Sequence, residues 1–194
     1  MRIFVAGATG AIGAQLVPQL VAAGHTVAGM TRSERKSQRL RELGAEPVVC
    51  DVFDAAALAD AVTAFAPDAV IHELTDLPQA PGQIAAKAAD NNRIRREGTR
   101  NLLAAARAAS AGRFLAQSVA FPLPSDGDAA VEEHEHTVLD AGGVVLRYGY
   151  FYGPGTYHEN EKAPAPAVHV AEAARHTVEA LDAPSGIITV VDTE

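Results

Sequence analysis

Gly7-Ala8-Thr9-Gly10-Ala11-Ile12-Gly13 is the stretch on which the fold turns. It follows Arg2–Ala6 (RIFVA), a short apolar run that reads as a buried strand. It opens Ala11–Ala23, where Ile12, Leu16, Leu20 and Ala23 recur at helical spacing until Gly24 stops the segment, with Pro18 as a local conflict. A glycine at 7 permits a tight turn out of the strand, one at 10 lets backbone amides approach an anion, and one at 13 lets the helix pack against the sheet. The unpaired N–H groups and the dipole at the helix start favour a pyrophosphate there. A plain strand–turn–helix without a ligand is the bland alternative, and the strand before and helix after argue against it.

Outward from this turn the pattern repeats. Strands are expected at 25–30, 47–50, 68–71, 113–117, 143–147 and 187–191. Helices are expected at 34–43, 54–65, 84 or 88 to 109, 129–140 and 168–181, with a proline-containing loop at 77–81 and irregular chain at 153–166. Such alternation predicts an α/β fold: a Rossmann-type, doubly wound parallel sheet with helices on both faces, because parallel strands are buried on both sides.

Of the 194 residues, 48% are hydrophobic and 21% charged, the profile of one packed domain rather than a disordered chain. Sixteen basic against 24 acidic residues leave a net charge of −8, which disfavours a nucleic-acid partner. No apolar run approaches membrane-spanning length and the N-terminus lacks a signal-peptide core, so no membrane partner is expected. Cys50 is the single cysteine, which excludes an internal disulfide and points to a cytoplasmic setting. Two basic clusters, Arg32–Arg41 and Arg93–Arg100, read either as solvated helix faces or as part of a ligand site.

Thr9-Gly10 in its GxxGxxG spacing resembles the extended and atypical short-chain dehydrogenase/reductases, the NAD-dependent epimerase/dehydratase group. Val70–Leu74 (VIHEL), Glu97–Ala105 (EGTRNLLAA), Leu146–Gly155 (LRYGYFYGPG) and Val168–Ala174 (VHVAEAA) resemble further motifs of that family in the same order. The resemblance implies a dinucleotide held by Gly7, Thr9, Gly10, Ala11, Ile12 and Gly13. It implies that Asp51 bonds the adenine amine with Val52 on the ring, and that His72, Glu73 and Leu74 pass along phosphate and ribose, mainly through backbone. Asp51 also reads as a cap for the helix near Asp54, and His72 as either a base or a half-buried spacer. Where an NAD site carries an acid after the second strand, this chain has Met30-Thr31-Arg32-Ser33, so Arg32 and Ser33 are expected to bind a 2′-phosphate and NADP is favoured over NAD.

The family's chemistry usually rests on a Ser or Thr after the fifth strand and on a Tyr-x-x-x-Lys helix. Ser118 is present; no Tyr-x-x-x-Lys exists, and the two positions fall at Gly127 and Val131. Arg95 stands where many relatives carry Asn. Ser118 and Tyr148 are the remaining catalytic candidates, both expected to point into the cleft, although Tyr148 reads equally as a wall of the cofactor pocket. His134 and His136 diverge at i, i+2 on a helix, so no metal site is expected.

The chain reads as a single domain over 1–194, with 153–194 the remnant of a small or truncated C-terminal substrate lobe. The short stretches at 122–128 and 156–166 are either natural trimming or omitted segments. The expected function is an NADP(H)-binding oxidoreductase or epimerase-like enzyme acting on a small metabolite or sugar nucleotide. A non-catalytic redox sensor and a vestigial scaffold are the alternatives. The expected partners are a small-molecule substrate and, as a homodimer, a second copy of the chain.

Overall fold

A computed structural model describes residues 1–78, 80–124 and 126–193. Position 79 of the expected 77–81 loop, position 125 of the short 122–128 stretch and residue 194 lie outside the described residues.

Seven parallel strands form the main sheet: β1 (Arg2–Ala6), β2 (Thr26–Thr31), β3 (Glu46–Val49), β4 (Ala69–His72), β5 (Arg113–Val119), β6 (Val144–Tyr148) and β9 (Gly186–Val190). Their order across the sheet is β3-β2-β1-β4-β5-β6-β9. The order of strand addition therefore reverses between β1 and β4, and the crevice outside their carboxyl ends is where such sheets take ligands.

Period-2 alternation divides the apolar residues between the faces. Ile3 and Val5 of β1 join a core with α1 (Ala11–Ala22), α2 (Ser37–Glu42) and α7 (Val170–Glu179). Phe4 and Ala6 join a second core with α3 (Ala55–Phe65), α5 (Thr99–Ala108) and α6 (Asp126–Asp140). α1 runs through Pro18 without interruption. α4 (Ala88–Arg93) continues into α5 through a π-helical turn, Ile94–Gly98, so the long helix expected there is one rod with a widened turn.

Two expectations need correction. The helix expected from 34 is a 3₁₀ turn, Glu34–Lys36, before α2. Residues expected to open the helix at 168 are instead strand β8 (Ala167–His169), which pairs in parallel with β7 (Tyr150–Tyr152) in a separate two-stranded sheet. His169 then caps α7, its Nδ1 accepting from the Ala171 N–H at 3.3 Å. The pairing is decided by a partner strand beyond an intervening loop, which local periodicity does not show.

The fold closes on the glycine turn. Gly7 has φ +92°, and a side chain there would lie 2.5 Å from the Glu73 carbonyl oxygen. A Cβ at Gly13 would lie 2.7 Å from Ala8 Cα, while one at Gly10 meets only the Gly7 oxygen, at 3.3 Å. Gly13→Ala is expected to cost about 1–3 kcal/mol by overpacking, lowering the melting temperature by at least about 2 °C. Gly10→Ala, measured alongside by thermal denaturation, is expected to shift it far less.

Candidate functional site

The start of α1 is a bare anion cradle. Gly10 caps the helix without any side-chain hydrogen bond, and the first turn carries no acidic residue. The Gly10 N–H turns back to the Gly7 carbonyl at 3.0 Å. The amides of Ala11, Ile12 and Gly13, with Thr9 at the turn, are left to a ligand, which an anionic pyrophosphate satisfies.

On the β2–β3 side of this cradle the structure brings together several residues expected from the sequence. Arg32, Val52 and Leu74 line a small apolar pocket with Met30, Thr75 and Ile94. Arg32 and Asp51 line an open pocket beside it with Phe53, Asp76, Asp90 and Arg93. Asp51 Oδ1 accepts from the Phe53 N–H at 3.0 Å, and the cap of α3 is Asp54, whose Oδ1 accepts from the Ala57 N–H at 3.0 Å. Asp51 is thus not the helix cap. Arg32 is half exposed and donates from Nη2 to Asp76 Oδ1 at 2.8 Å. Ser33 turns its N–H onto Thr31 Oγ1 at 3.2 Å.

Phe53, Asp76 and Asp90 were not legible in the sequence as site residues, and Arg93 is the member of the second basic cluster that joins the pocket. Arg93 lies 3.8 Å over the Phe53 ring, a pairing between α4 and the β3 exit that only the fold creates. The rest of the second basic cluster is mostly surface: Arg96 and Arg100 pair with Glu133 at 2.8 and 3.0 Å. Arg95 differs. Its Nη1 donates to Asn92 Oδ1 at 3.1 Å, and burial lowers its pKa.

His72 is neither an exposed base nor a half-buried spacer; it is 1% exposed and belongs to a closed ring of hydrogen bonds. The Leu74 N–H donates to His72 Nδ1 (3.2 Å), which fixes the His72 proton on Nε2, facing Thr99 Oγ1 (3.1 Å). Thr99 donates in turn to His134 Nδ1 (2.7 Å), and His134 Nε2 donates to the Gln117 carbonyl (2.9 Å). The Gln117 side chain closes the ring on the Leu74 carbonyl at 2.9 Å. Every proton has one direction, so both imidazoles are neutral and the exits of β4 and β5 are locked together. Burial holds both pKa values down, His72 well below the usual range. Gln117, Thr99 and His134 were missed as a group because no local spacing links them.

The two catalytic candidates do not share a cleft. Ser118 pairs with Arg147 across β5 and β6 and Val119 with Tyr148, so Ser118 and Tyr148 point to opposite faces of the sheet. Ser118 is 6% exposed and donates to Glu135 Oε1 at 2.5 Å; Arg147 holds the same carboxylate with Nε at 2.8 Å and Nη2 at 2.5 Å. Burial alone would raise the Glu135 pKa, but these donors outweigh it and the group stays ionised. Tyr148 is 2% exposed inside the α1/α7 core. Its hydroxyl lies 2.6 Å from Thr177 Oγ1 and 3.4 Å from Glu73 Oε1. Burial and the Glu73 charge push its pKa well above 10, so it is a poor proton donor. The expectation that both hydroxyls face the cleft is therefore corrected: strand alternation sends one to each helical layer.

Glu73 was expected to contribute backbone, and its N–H does bond the Ala6 carbonyl at 2.8 Å. Its side chain is buried, with Oε2 unpaired, and burial raises its pKa to about 8. Because Thr177 spends its proton on the Ala173 carbonyl at 2.8 Å, Tyr148 is the donor to Thr177, and its hydroxyl also lies within donor reach of Glu73 Oε1 at 3.4 Å. A protonated carboxyl suits that place.

The sequence profile of the NAD dependent epimerase/dehydratase family matches residues 3–137. A 3-diazoavenalumate denitrifying reductase from a Streptomyces species is 35% identical over 189 residues, covering 85% of this chain and 61% of its own. A 4-hydroxy-2-methyl-3-oxo-4-farnesyl-3,4-dihydroquinoline-1-oxide ketoreductase from Stigmatella aurantiaca is 33% identical over 179 residues, covering 79% and 51%. The chain thus spans little more than half the length of these relatives. The UDP-glucose 4-epimerase of Thermus thermophilus, in complex with NAD, shares the fold with a TM-score of 0.80 at 21% identity, over 100% of this chain and 78% of that one.

The buried acid and imidazoles set a pH dependence of stability. Below about pH 6.5 the unfolded chain binds two protons that native His72 and His134 refuse, so stability falls as pH falls. Native Glu73 keeps a proton up to about pH 8 that the unfolded chain releases near 4.5, so stability falls as pH rises through that window. Each group contributes about 1.4 kcal/mol per pH unit where it differs. The histidines and the glutamate oppose one another on the acid side, and the glutamate dominates on the alkaline side. Urea unfolding at pH 6.5 and 8 is expected to show lower stability at pH 8, by about 1 kcal/mol. Glu73→Gln is expected to flatten the alkaline limb; a wild-type limb already flat would show that Glu73 is ionised in the native state.

Proposed function

The chain belongs to the NAD dependent epimerase/dehydratase family, and from that membership we propose that it is an NADP(H)-dependent oxidoreductase acting on a small-molecule substrate. The observation that carries this reading is the uncapped, acid-free start of α1, with the pockets that Arg32 lines beyond the neighbouring strand β2. Gly7, Thr9, Gly10, Ala11, Ile12 and Gly13 hold the pyrophosphate, and Asp51, Val52 and Leu74 the adenine. The 2′-phosphate falls to Arg32 and Ser33. Arg32 commits only Nη2 to Asp76, which leaves further N–H donors for a phosphate. Glu73 and His72 act through position: the first packs its backbone on Gly7, and the second anchors Leu74.

Bound NADPH supplies a hydride for an electrophilic carbon of the substrate. Ser118 and Tyr148 are structural here, so neither moves a proton during turnover. The proton that completes reduction comes from solvent or from a group the substrate itself carries. In this reading the enzyme works in the cytoplasm, in keeping with its lone Cys50.

A non-catalytic NADP(H)-binding sensor is the second reading, favoured by the engagement of both hydroxyls inside the protein. Nucleotide binding without turnover across a panel of aldehydes, ketones and sugar nucleotides would select it.

Gly10→Val is expected to remove NADPH binding with the fold retained, because its Cβ enters the cradle and meets only the Gly7 oxygen of the protein. Calorimetry showing unchanged affinity would remove the cradle from the proposal. Arg32→Ala is expected to weaken NADPH about tenfold or more, the loss of a charge-assisted contact of about 1.5–3 kcal/mol, and to leave NADH nearly unchanged. Equal losses for both nucleotides would mean that Arg32 does not read the 2′-phosphate.

A further inference from the structure

The half of the crevice over β4, β5 and β6 is left for a substrate once the adenosine half is assigned to the β2–β3 side. Its rim is formed by the loops after those three strands. Phe121, just past β5, and Tyr150, two residues past β6, stack with ring centroids 3.7 Å apart and planes 13° from parallel. The pair stays in reach of solvent: Tyr150 is 37% exposed. From the loop after β4, Leu77 is 48% exposed, and the neighbouring Pro78 carbonyl accepts from the Tyr157 hydroxyl. That bond pins the 38%-exposed Tyr157 ring across the same rim.

Several polar side chains of these loops are engaged within the protein, while Thr75, Glu159 and Asn160 stay exposed. Thr156 Oγ1 donates to the Gly153 carbonyl at 2.8 Å and accepts from the His158 N–H at 3.2 Å. Tyr152 donates to Asp192 at 2.9 Å, and Gln117 and Ser118 are held as described above. A sugar's hydroxyls need hydrogen-bond partners to replace the water they lose on entering. A flat aromatic ring loses nothing of that kind and extends an existing parallel stack.

We propose that the Phe121–Tyr150 stack, with Leu77 and Tyr157 on the same rim, is a substrate site for a planar aromatic compound. This rests on the cofactor reading above, which places the reacting end of the nucleotide over β4–β6. Tyr150 and Phe121 set the specificity for flat rings by stacking.

Calorimetry with three probes tests it: 2-naphthaldehyde, its saturated and puckered counterpart decahydronaphthalene-2-carbaldehyde, and UDP-glucose. Each is titrated into protein saturated with NADP⁺, after the NADP⁺ affinity has itself been measured. The naphthaldehyde is expected to bind at least tenfold more tightly than the saturated aldehyde, and UDP-glucose more weakly than either. Tyr150→Ala is expected to weaken the naphthaldehyde about tenfold with NADP⁺ affinity intact, and Tyr150→Phe to stay within twofold of wild type. If Tyr150→Ala fails to fold, Phe121→Leu decides, with the same loss expected. Equal affinity for flat and puckered aldehydes, tighter UDP-glucose, or full affinity in Tyr150→Ala or Phe121→Leu would overturn the proposal. Failure of NADP⁺ to bind would instead refute the cofactor reading, and the same titrations without nucleotide would still judge the aromatic site.

Discussion

The close approach of Gly7 to the Glu73 carbonyl is the constraint on which the rest of the molecule depends. It sets the exit of β4 directly against the turn that leads from β1 into α1, with no room for a Cβ between them. Gly13 then brings α1 down onto the same turn. The result is a helix start with its amides free at the point where the sheet order reverses. A dinucleotide needs that geometry more than it needs any side chain there, because backbone donors and the helix dipole supply the favourable field.

Around this junction the chain spends its buried polar groups on holding position. The Leu74–His72–Thr99–His134–Gln117 ring spans two strands and two helices and leaves no proton free to move. Glu135 ties Ser118 of β5 to Arg147 of β6, and Thr177 of α7 fixes Tyr148. Three polar networks thus brace the carboxyl ends of β4, β5 and β6. Rigid strand ends of this kind position a cofactor well, yet they use up the hydroxyls that proton transfer would need. The family's acid/base pair is absent from the sequence, and the structure supplies no replacement from the residues that looked most suitable.

The β4–β6 end of the crevice carries an exposed aromatic stack, whereas the β2–β3 end is dominated by charged side chains. Arg32, Arg93, Asp51, Asp76 and Asp90 face one pocket, with Arg93 lying on the Phe53 ring. On the proposed reading, the two ends of the crevice select by different physics: ion pairing and hydrogen bonds for the nucleotide, ring stacking for its partner.

The sequence by itself determined the strand–helix alternation, the parallel sheet and the glycine turn, because each is written in short-range periodicity or in a local demand for a missing side chain. It also placed Arg32, Asp51, Val52 and Leu74, which follow three different strands and converge because parallel strands deliver their carboxyl ends to one edge. Only the tertiary structure decided which way each hydroxyl points. Ser118 and Tyr148 sit one step out of phase on paired strands, and a shift of one residue in a pleated sheet exchanges one face for the other. The histidine ring, the Arg93–Phe53 contact and the Phe121–Tyr150 stack join residues from different elements; the two links through Thr99 alone span 27 and 35 positions of the chain. No local pattern records such meetings, since they arise from register and packing that exist only once the sheet has formed.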